Sequence, residues 1–141
     1  LAERRGPTLL TPHAGEFARL APDAEGTRLD QAAGRAQRWG ATVLLKGNNT
    51  VVADPDGRLV VNPTGVPALA SGGTGDVLTG LTGSLLAQGL DPFDAGRLGA
   101  WVHGRAAALA VAGLGPVSLA AHDVAEHLPA AFQELLAEGR T

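Results

Sequence analysis

The chain has no cysteine, no methionine and a single lysine, and aromatic residues make up only 4% of its 141 positions. Without cysteine there are no disulfides, no thiolate-ligated zinc, no iron–sulfur centre and no thiol nucleophile, a pattern that agrees with a reducing cytoplasm. Long apolar runs are missing too. No stretch of about 18 apolar residues occurs, and the most apolar helix candidate, Gly99 to Gly113, is interrupted by His103 and Arg105, which excludes a membrane span. Nor is there an excess of positive charge: 11 basic residues face 14 acidic ones for a net charge of −3, so no global field draws the chain to nucleic acid. An anionic ligand has to be held locally. Finally, the opening Leu1-Ala2-Glu3-Arg4-Arg5 lacks both an initiator methionine and a secretory leader. The expectation is a piece of something longer.

What is present reads as one globular α/β unit. Hydrophobic residues at 45% and charged ones at 18% suit a packed domain, while 20 glycines and 9 prolines demand many turns, close approaches and helix ends. Thr8-Leu9-Leu10-Thr11, set between Gly6-Pro7 and Pro12, predicts a short buried strand, followed by a helical turn through Glu16 to Leu20. Leu29, Ala32, Ala33, Ala36 and Trp39 fall on one face of a helix from Arg28 to Trp39, with Gly40 as its C-terminal cap. Ala41 to Gly47 is continuously apolar and β-branched before Lys46, the pattern of a central strand. Pro55-Asp56-Gly57 punctuates a hairpin between Thr50–Asp54 and Arg58–Asn62.

The second half turns helical. Ser71-Gly72-Gly73-Thr74-Gly75-Asp76 runs directly into an apolar helix closed by Gly89. Asp91-Pro92 caps a long helix whose Gly96, Gly99 and Gly104 lower helix propensity and predict close neighbours. A last helix from His122 to Ala137 puts Val124, Leu128, Phe132 and Leu135 on one face, and Pro129 is expected to kink or split it. Only two strands look central. The fold class is therefore α/β with a largely parallel or mixed but incomplete sheet.

Three places carry candidate chemistry. The glycine turn lets consecutive N–H groups converge at the positive end of a helix, where a phosphate binds well. Asp76 stands where it either caps that helix or takes a proton from a hydroxyl beside the phosphate; on the residues alone both readings stay open. The turn is neither a GxGxxG fingerprint nor a GxxxxGK[ST] loop. Lys46, followed by Gly47, Asn48, Asn49 and Thr50, ends the central strand, and ligands of open α/β sheets gather at such carboxyl ends. A solvated strand-end lysine fits equally. His13 and Glu16, in Thr11-Pro12-His13-Ala14-Gly15-Glu16, lie at the same edge, where a surface histidine is the plain alternative. His122 and His127 match no metal-ligand spacing, and His103 reads as a core or interhelix histidine rather than a catalyst.

Taken in order, Thr11-Pro12-His13-Ala14-Gly15-Glu16, Leu45-Lys46-Gly47-Asn48-Asn49-Thr50, Asn62-Pro63-Thr64-Gly65 and Ala70-Ser71-Gly72-Gly73-Thr74-Gly75-Asp76-Val77-Leu78-Thr79-Gly80 resemble the ADP/ATP-dependent NAD(P)H-hydrate dehydratases of the ribokinase-like superfamily. The Gly-Thr-Gly-Asp element alone would indicate only the superfamily, which includes sugar, vitamin-precursor and hydroxyethylthiazole kinases; the Thr-Pro-His and Lys-Gly elements narrow it. Ala14 stands where the family usually has proline, and Val66-Pro67-Ala68-Leu69-Ala70 where it has Asn-Pro-Gly-Met-Ala, both small or apolar exchanges.

The resemblance implies the C-terminal half of a ribokinase-like three-layer sandwich spanning residues 1–141, its N-terminal half absent. It implies nicotinamide-nucleotide repair, in which ADP or ATP phosphorylates the ring hydroxyl of NADHX or NADPHX and phosphate then leaves. By position, Asp76 is the implied base and hydrate contact, and Gly72, Gly73, Thr74 and Gly75 form the anion hole. Lys46, Gly47, Asn48, Asn49, Thr50 and Gly75 bind the nucleotide, and His13 binds the hydrate. Mg2+ is implied with no ligands identifiable, as are a cytoplasmic location, a homo-oligomer (a tetramer in the family) and fusion to or cooperation with an NAD(P)H-hydrate epimerase. A small-molecule kinase and an inactive nucleotide-binding module remain the alternatives.

Overall fold

A computed structural model describes residues 4–139, with only the backbone of Glu138; the opening Leu1-Ala2-Glu3 lies outside the described residues. Strand β1 (Leu9–Leu10) is followed by helices α1 (Ala14–Leu20) and α2 (Arg28–Trp39), and then by strands β2 (Thr42–Leu45), β3 (Val51–Ala53) and β4 (Leu59–Val61). A 3-10 turn at Pro67–Ala70 leads to helices α3 (Thr74–Ala87), α4 (Pro92–Leu114) and α5 (Ala121–Glu138). The four strands form one mixed sheet in the order β1-β2-β3-β4, with β1 parallel to β2 and the others antiparallel.

The pleat sorts the apolar strand residues onto two faces. Val43, Leu45, Val51 and Ala53 pack with Phe17, Ala32 and Ala36 of α1 and α2, whereas Leu44 and Val52 pack with Leu78, Phe93 and Ala100 of α3 and α4. Both faces of β2 are thus covered, which is why its sequence is unbroken rather than alternating. Each such fully buried Val or Leu contributes roughly 1.5–3 kcal/mol of burial. A third cluster joins α4 to α5 through Val102, Ala106, Ala110, Val124 and Ala131, making α5 an outer helix.

The expected helix bounds at Arg28–Trp39 and the cap at Gly40 hold, with Gly40 in the left-handed region at φ 59°. Asp91 caps α4 by accepting from the Asp94 N–H at 2.9 Å. The glycines of α4 sit where neighbours press in: a β-carbon on Gly96 would lie 3.0 Å from Val52 Cγ1, and one on Gly104 would lie 2.7 Å from the Thr64 carbonyl carbon and 2.8 Å from the Gly65 nitrogen. The split expected at Pro129 does not occur, and α5 runs through it as a single helix. The proline removes one backbone bond, but Val124 and Ala131 on either side are fully buried in the cluster with α4 and keep the helix continuous.

Candidate functional site

Because β1 and β2 are parallel, the loops that leave them emerge at the same edge. His13 and Lys46 are paired across that edge, and the Lys46 N–H donates to the Pro12 carbonyl at 2.8 Å. His13 also starts α1: its Nδ1 accepts from the Gly15 and Glu16 N–H groups at 3.0 and 3.2 Å, while Glu16 Oε2 accepts from the His13 N–H at 2.7 Å. Acceptance at Nδ1 places the ring proton on Nε2, which lies 3.5 Å from Glu16 Oε1. Glu16 lies 3.8 Å from Lys46 Nζ, and the His13 N–H bond, with the nearby Lys46 charge, holds its carboxyl below the usual value.

The glycine turn lies at the start of α3. Gly73 occupies the N-cap position at φ 84° and supplies no side chain to the first turn. Among the described residues, the backbone N–H groups of Gly72, Gly73, Thr74 and Gly75 have no acceptor, four consecutive donors without a partner. Thr74 does not turn its hydroxyl toward them; Oγ1 donates inward, to the Leu69 and Ser71 carbonyls at 2.7 and 2.9 Å. Asp76 is exposed and does not cap the helix, so of the two roles left open by the sequence the capping one is not taken.

These two regions meet. A β-carbon on Gly75 would lie 3.0 Å from Lys46 Nζ, so the lysine side chain lies across the first turn of α3. From the other side the Thr11 and Thr79 hydroxyls are 3.2 Å apart, and Thr79 Oγ1 donates to the Gly75 carbonyl at 3.0 Å. A largely apolar cavity of about 370 Å³, lined by Leu10, Thr11, Pro12, Glu16, Arg19 and Leu20, adjoins the site through Thr11 and Glu16.

Gly47, Asn48 and Asn49 are exposed beyond Lys46, with Asn49 in the left-handed region at φ 59°, and Thr50 Oγ1 donates to the Gly47 carbonyl at 3.3 Å. Two residues support these backbone segments: Arg28, which the sequence did not single out, and His103, whose core or interhelix placement is met. Arg28 donates from Nη2 to the Leu45 and Lys46 carbonyls at 3.1 and 3.2 Å, and its guanidinium fills the space where Gly47 lacks a side chain. An arginine at a helix N-terminus opposes the helix dipole, a signal that it works elsewhere. His103, 7% exposed on α4, donates from Nε2 to the Thr74 carbonyl at 2.8 Å. Burial pushes its pKa down, the Thr74 bond opposes this, and the Lys46 charge adds to the lowering. His122 stays at the surface near Asp123, His127 Nδ1 bonds the Asp123 carbonyl, and no cluster of three metal-ligating side chains exists among the described residues.

A layered α/β fold that presents a strand-end lysine to an open helix N-terminus has the ribokinase-like arrangement. A ribokinase-like superfamily protein of Enterococcus faecalis superposes with a TM-score of 0.71 at 26% identity, covering 89% of this chain and 44% of that one. Residues 1–130 match the NAD(P)H-hydrate dehydratase family, and the chain belongs to it. It is similar to the bifunctional NAD(P)H-hydrate repair enzyme Nnr of Moorella thermoacetica, 45% identical over 140 residues, which cover 96% of this chain and 26% of the relative. Among solved structures, the ADP/ATP-dependent NAD(P)H-hydrate dehydratase of Bacillus subtilis, co-crystallised with ATP and Mg2+ and soaked with CoA, matches with a TM-score of 0.86 at 38% identity over 95% of this chain and 51% of that one. The chain therefore spans about a quarter of the length of the repair enzyme and half of the dehydratase.

Proposed function

We propose that the protein carrying this chain dehydrates NADHX and NADPHX at the expense of ADP or ATP. The observation that supports this most is the convergence of four unpaired N–H groups, the Lys46 ammonium at Gly75 and the uncapped Asp76 carboxylate on one turn. Lys46 and the loop Gly47-Asn48-Asn49-Thr50 hold the nucleotide, and the amides of Gly72, Gly73, Thr74 and Gly75 hold the phosphoryl group as its charge spreads in transfer. His13 and Asp76 hold the hydrate. Asp76 accepts the proton as the ring oxygen bonds phosphorus and the bond to the nucleotide leaving group breaks. Loss of a ring proton with cleavage of the carbon–oxygen bond then expels inorganic phosphate and restores the reduced nicotinamide. The described side chains form no magnesium cage; the ion implied by the resemblance enters with the nucleotide phosphates.

We assign residues 1–141 to the C-terminal portion of one dehydratase domain. The bifunctional relatives support a partnership with an NAD(P)H-hydrate epimerase, and a cytoplasmic homo-oligomer completes the reading. The test offers the natural full-length protein NADHX with ADP, and separately a panel of sugars and thiazole alcohols with ATP. Restored absorbance of the reduced nicotinamide is expected. Phosphorylation of a panel alcohol without that recovery would make the protein a kinase; nucleotide binding with neither reaction would make it a binding module.

A further inference from the structure

Within the glycine turn, residues 72, 73 and 75 have no side chains, so among residues 72–75 only Thr74 can anchor the cradle to the rest of the fold. Thr74 is 4% exposed and held on two sides: its hydroxyl by the preceding 3-10 turn, and its carbonyl by His103 Nε2 at 2.8 Å. The same turn of α4 fixes the other end of the connecting segment. Asn62 Nδ2 donates to the Ala100 carbonyl at 3.2 Å, Thr64 Oγ1 donates to the Trp101 carbonyl at 3.0 Å, and Gly104 leaves room for Thr64 and Gly65. One helical turn, residues 100–104, thus fixes both the start and the finish of the segment 62–74.

The Thr74 carbonyl belongs to the same planar peptide unit as the Gly75 N–H. In a trans peptide the two bonds point in opposite directions, so a donor that fixes the oxygen also fixes where the hydrogen aims. It also polarises the unit and strengthens that N–H as a donor. We propose that His103 is a positioning residue: by holding the Thr74 carbonyl from inside the fold, it aims and strengthens the Gly75 N–H toward the anion on the outside. The imidazole touches no substrate and acts through the peptide bond. This rests on the cradle reading above, extending it from the residues that meet the anion to the one that sets their direction.

The experiment compares His103→Leu, which deletes the donor, with His103→Gln, which returns an N–H donor at similar reach, in the natural full-length protein. Melting temperature, ADP affinity and the kcat and KM of dehydration are measured, and the Gly75 amide is followed by 15N NMR during an ADP titration. His103→Leu is expected to lower kcat about 10-fold, a fraction of the loss seen when a whole oxyanion-hole donor is removed. KM for the hydrate stays within about 3-fold, and the Gly75 amide loses most of its ADP-induced shift. His103→Gln restores both kcat and the amide shift even where its melting temperature is as low as that of the leucine variant. Equal losses in the two variants, or an unchanged Gly75 response in His103→Leu, would overturn the proposal. Should the unsubstituted protein fail to dehydrate NADHX, the function reading falls, while the Gly75 response still decides the role of His103.

Discussion

The ammonium of Lys46 and the α-carbon of Gly75 share one small space: a β-carbon added to Gly75 would stand 3.0 Å from Lys46 Nζ. A cation from the end of β2 therefore lies over the first turn of α3 only because residue 75 has no side chain. Gly75→Ala is predicted to push the flexible lysine end aside rather than disturb the backbone. Alanine is the better helix former, so the melting temperature stays level or rises. ADP affinity, measured by calorimetry, falls about 10-fold with the displaced charge-assisted contact. A lowered melting temperature with unchanged affinity would contradict this account.

Asp76→Asn keeps the shape of the side chain and removes its capacity to accept a proton. Dehydration is expected to fall by roughly 10²–10⁴-fold, the range for losing a positioned base. ADP affinity stays within a few-fold, because the amides and Lys46 remain. Retained turnover would reject Asp76 as the base.

Two glycines on helices should answer alanine in opposite ways. At Gly104 the new methyl group meets the Thr64 hydroxyl and the backbone of Thr64 and Gly65, so Gly104→Ala costs about 1–3 kcal/mol as overpacking. At Gly34, exposed on α2 with nothing within 4 Å, alanine adds about 0.5–1 kcal/mol. Chemical denaturation of the two variants checks both signs.

Acid should weaken the fold in two stages. His103 has a folded pKa below its ordinary 6.5, chiefly through burial and further through Lys46, so its neutral form stabilises the fold above that value and the contribution is lost as pH falls below it. Glu16, Asp91 and Glu134 are held below their ordinary values of 4.5, 3.8 and 4.5 by the His13 N–H, the Asp94 N–H and Arg105 respectively. Their contribution persists above those values and disappears as pH drops through the lower folded ones. The melting temperature is thus expected to be level above about pH 6.5, to decline gently below it and to fall steeply under about pH 4.5. His103→Gln should remove the first decline and leave the second; a profile with no decline until the carboxylates titrate would contradict the His103 assignment.

Local chemistry made much of this legible in advance. The unbroken apolar run before Lys46 required a strand covered on both faces, Asp91-Pro92 required a helix start, and the glycines of α4 required neighbours that proved to be Val52 and Thr64. The expectation that His13 and Lys46 lie at the same strand edge is met by their pairing across β1 and β2. The supports of that site were hidden, because Arg28 and His103 act on backbone carbonyls 17 and 29 residues away, a pairing that no local pattern records. At Pro129 the local rule allows a kink or a split, and burial of Val124 and Ala131 against α4 selects against the split, keeping one continuous helix.

Gly73 has one further neighbour. A β-carbon there would stand 3.1 Å from the methyl group of Ala121, the first residue of α5. The outermost helix, about 27 Å long at its 18 residues, therefore abuts the glycine turn at its near end and reaches its far end at Glu138. Affinity handles, surface tethers or fused partners attached beyond Glu138 pull on a helix whose other end touches the glycine turn, so kinetic comparisons between differently tagged preparations also compare the seating of that helix.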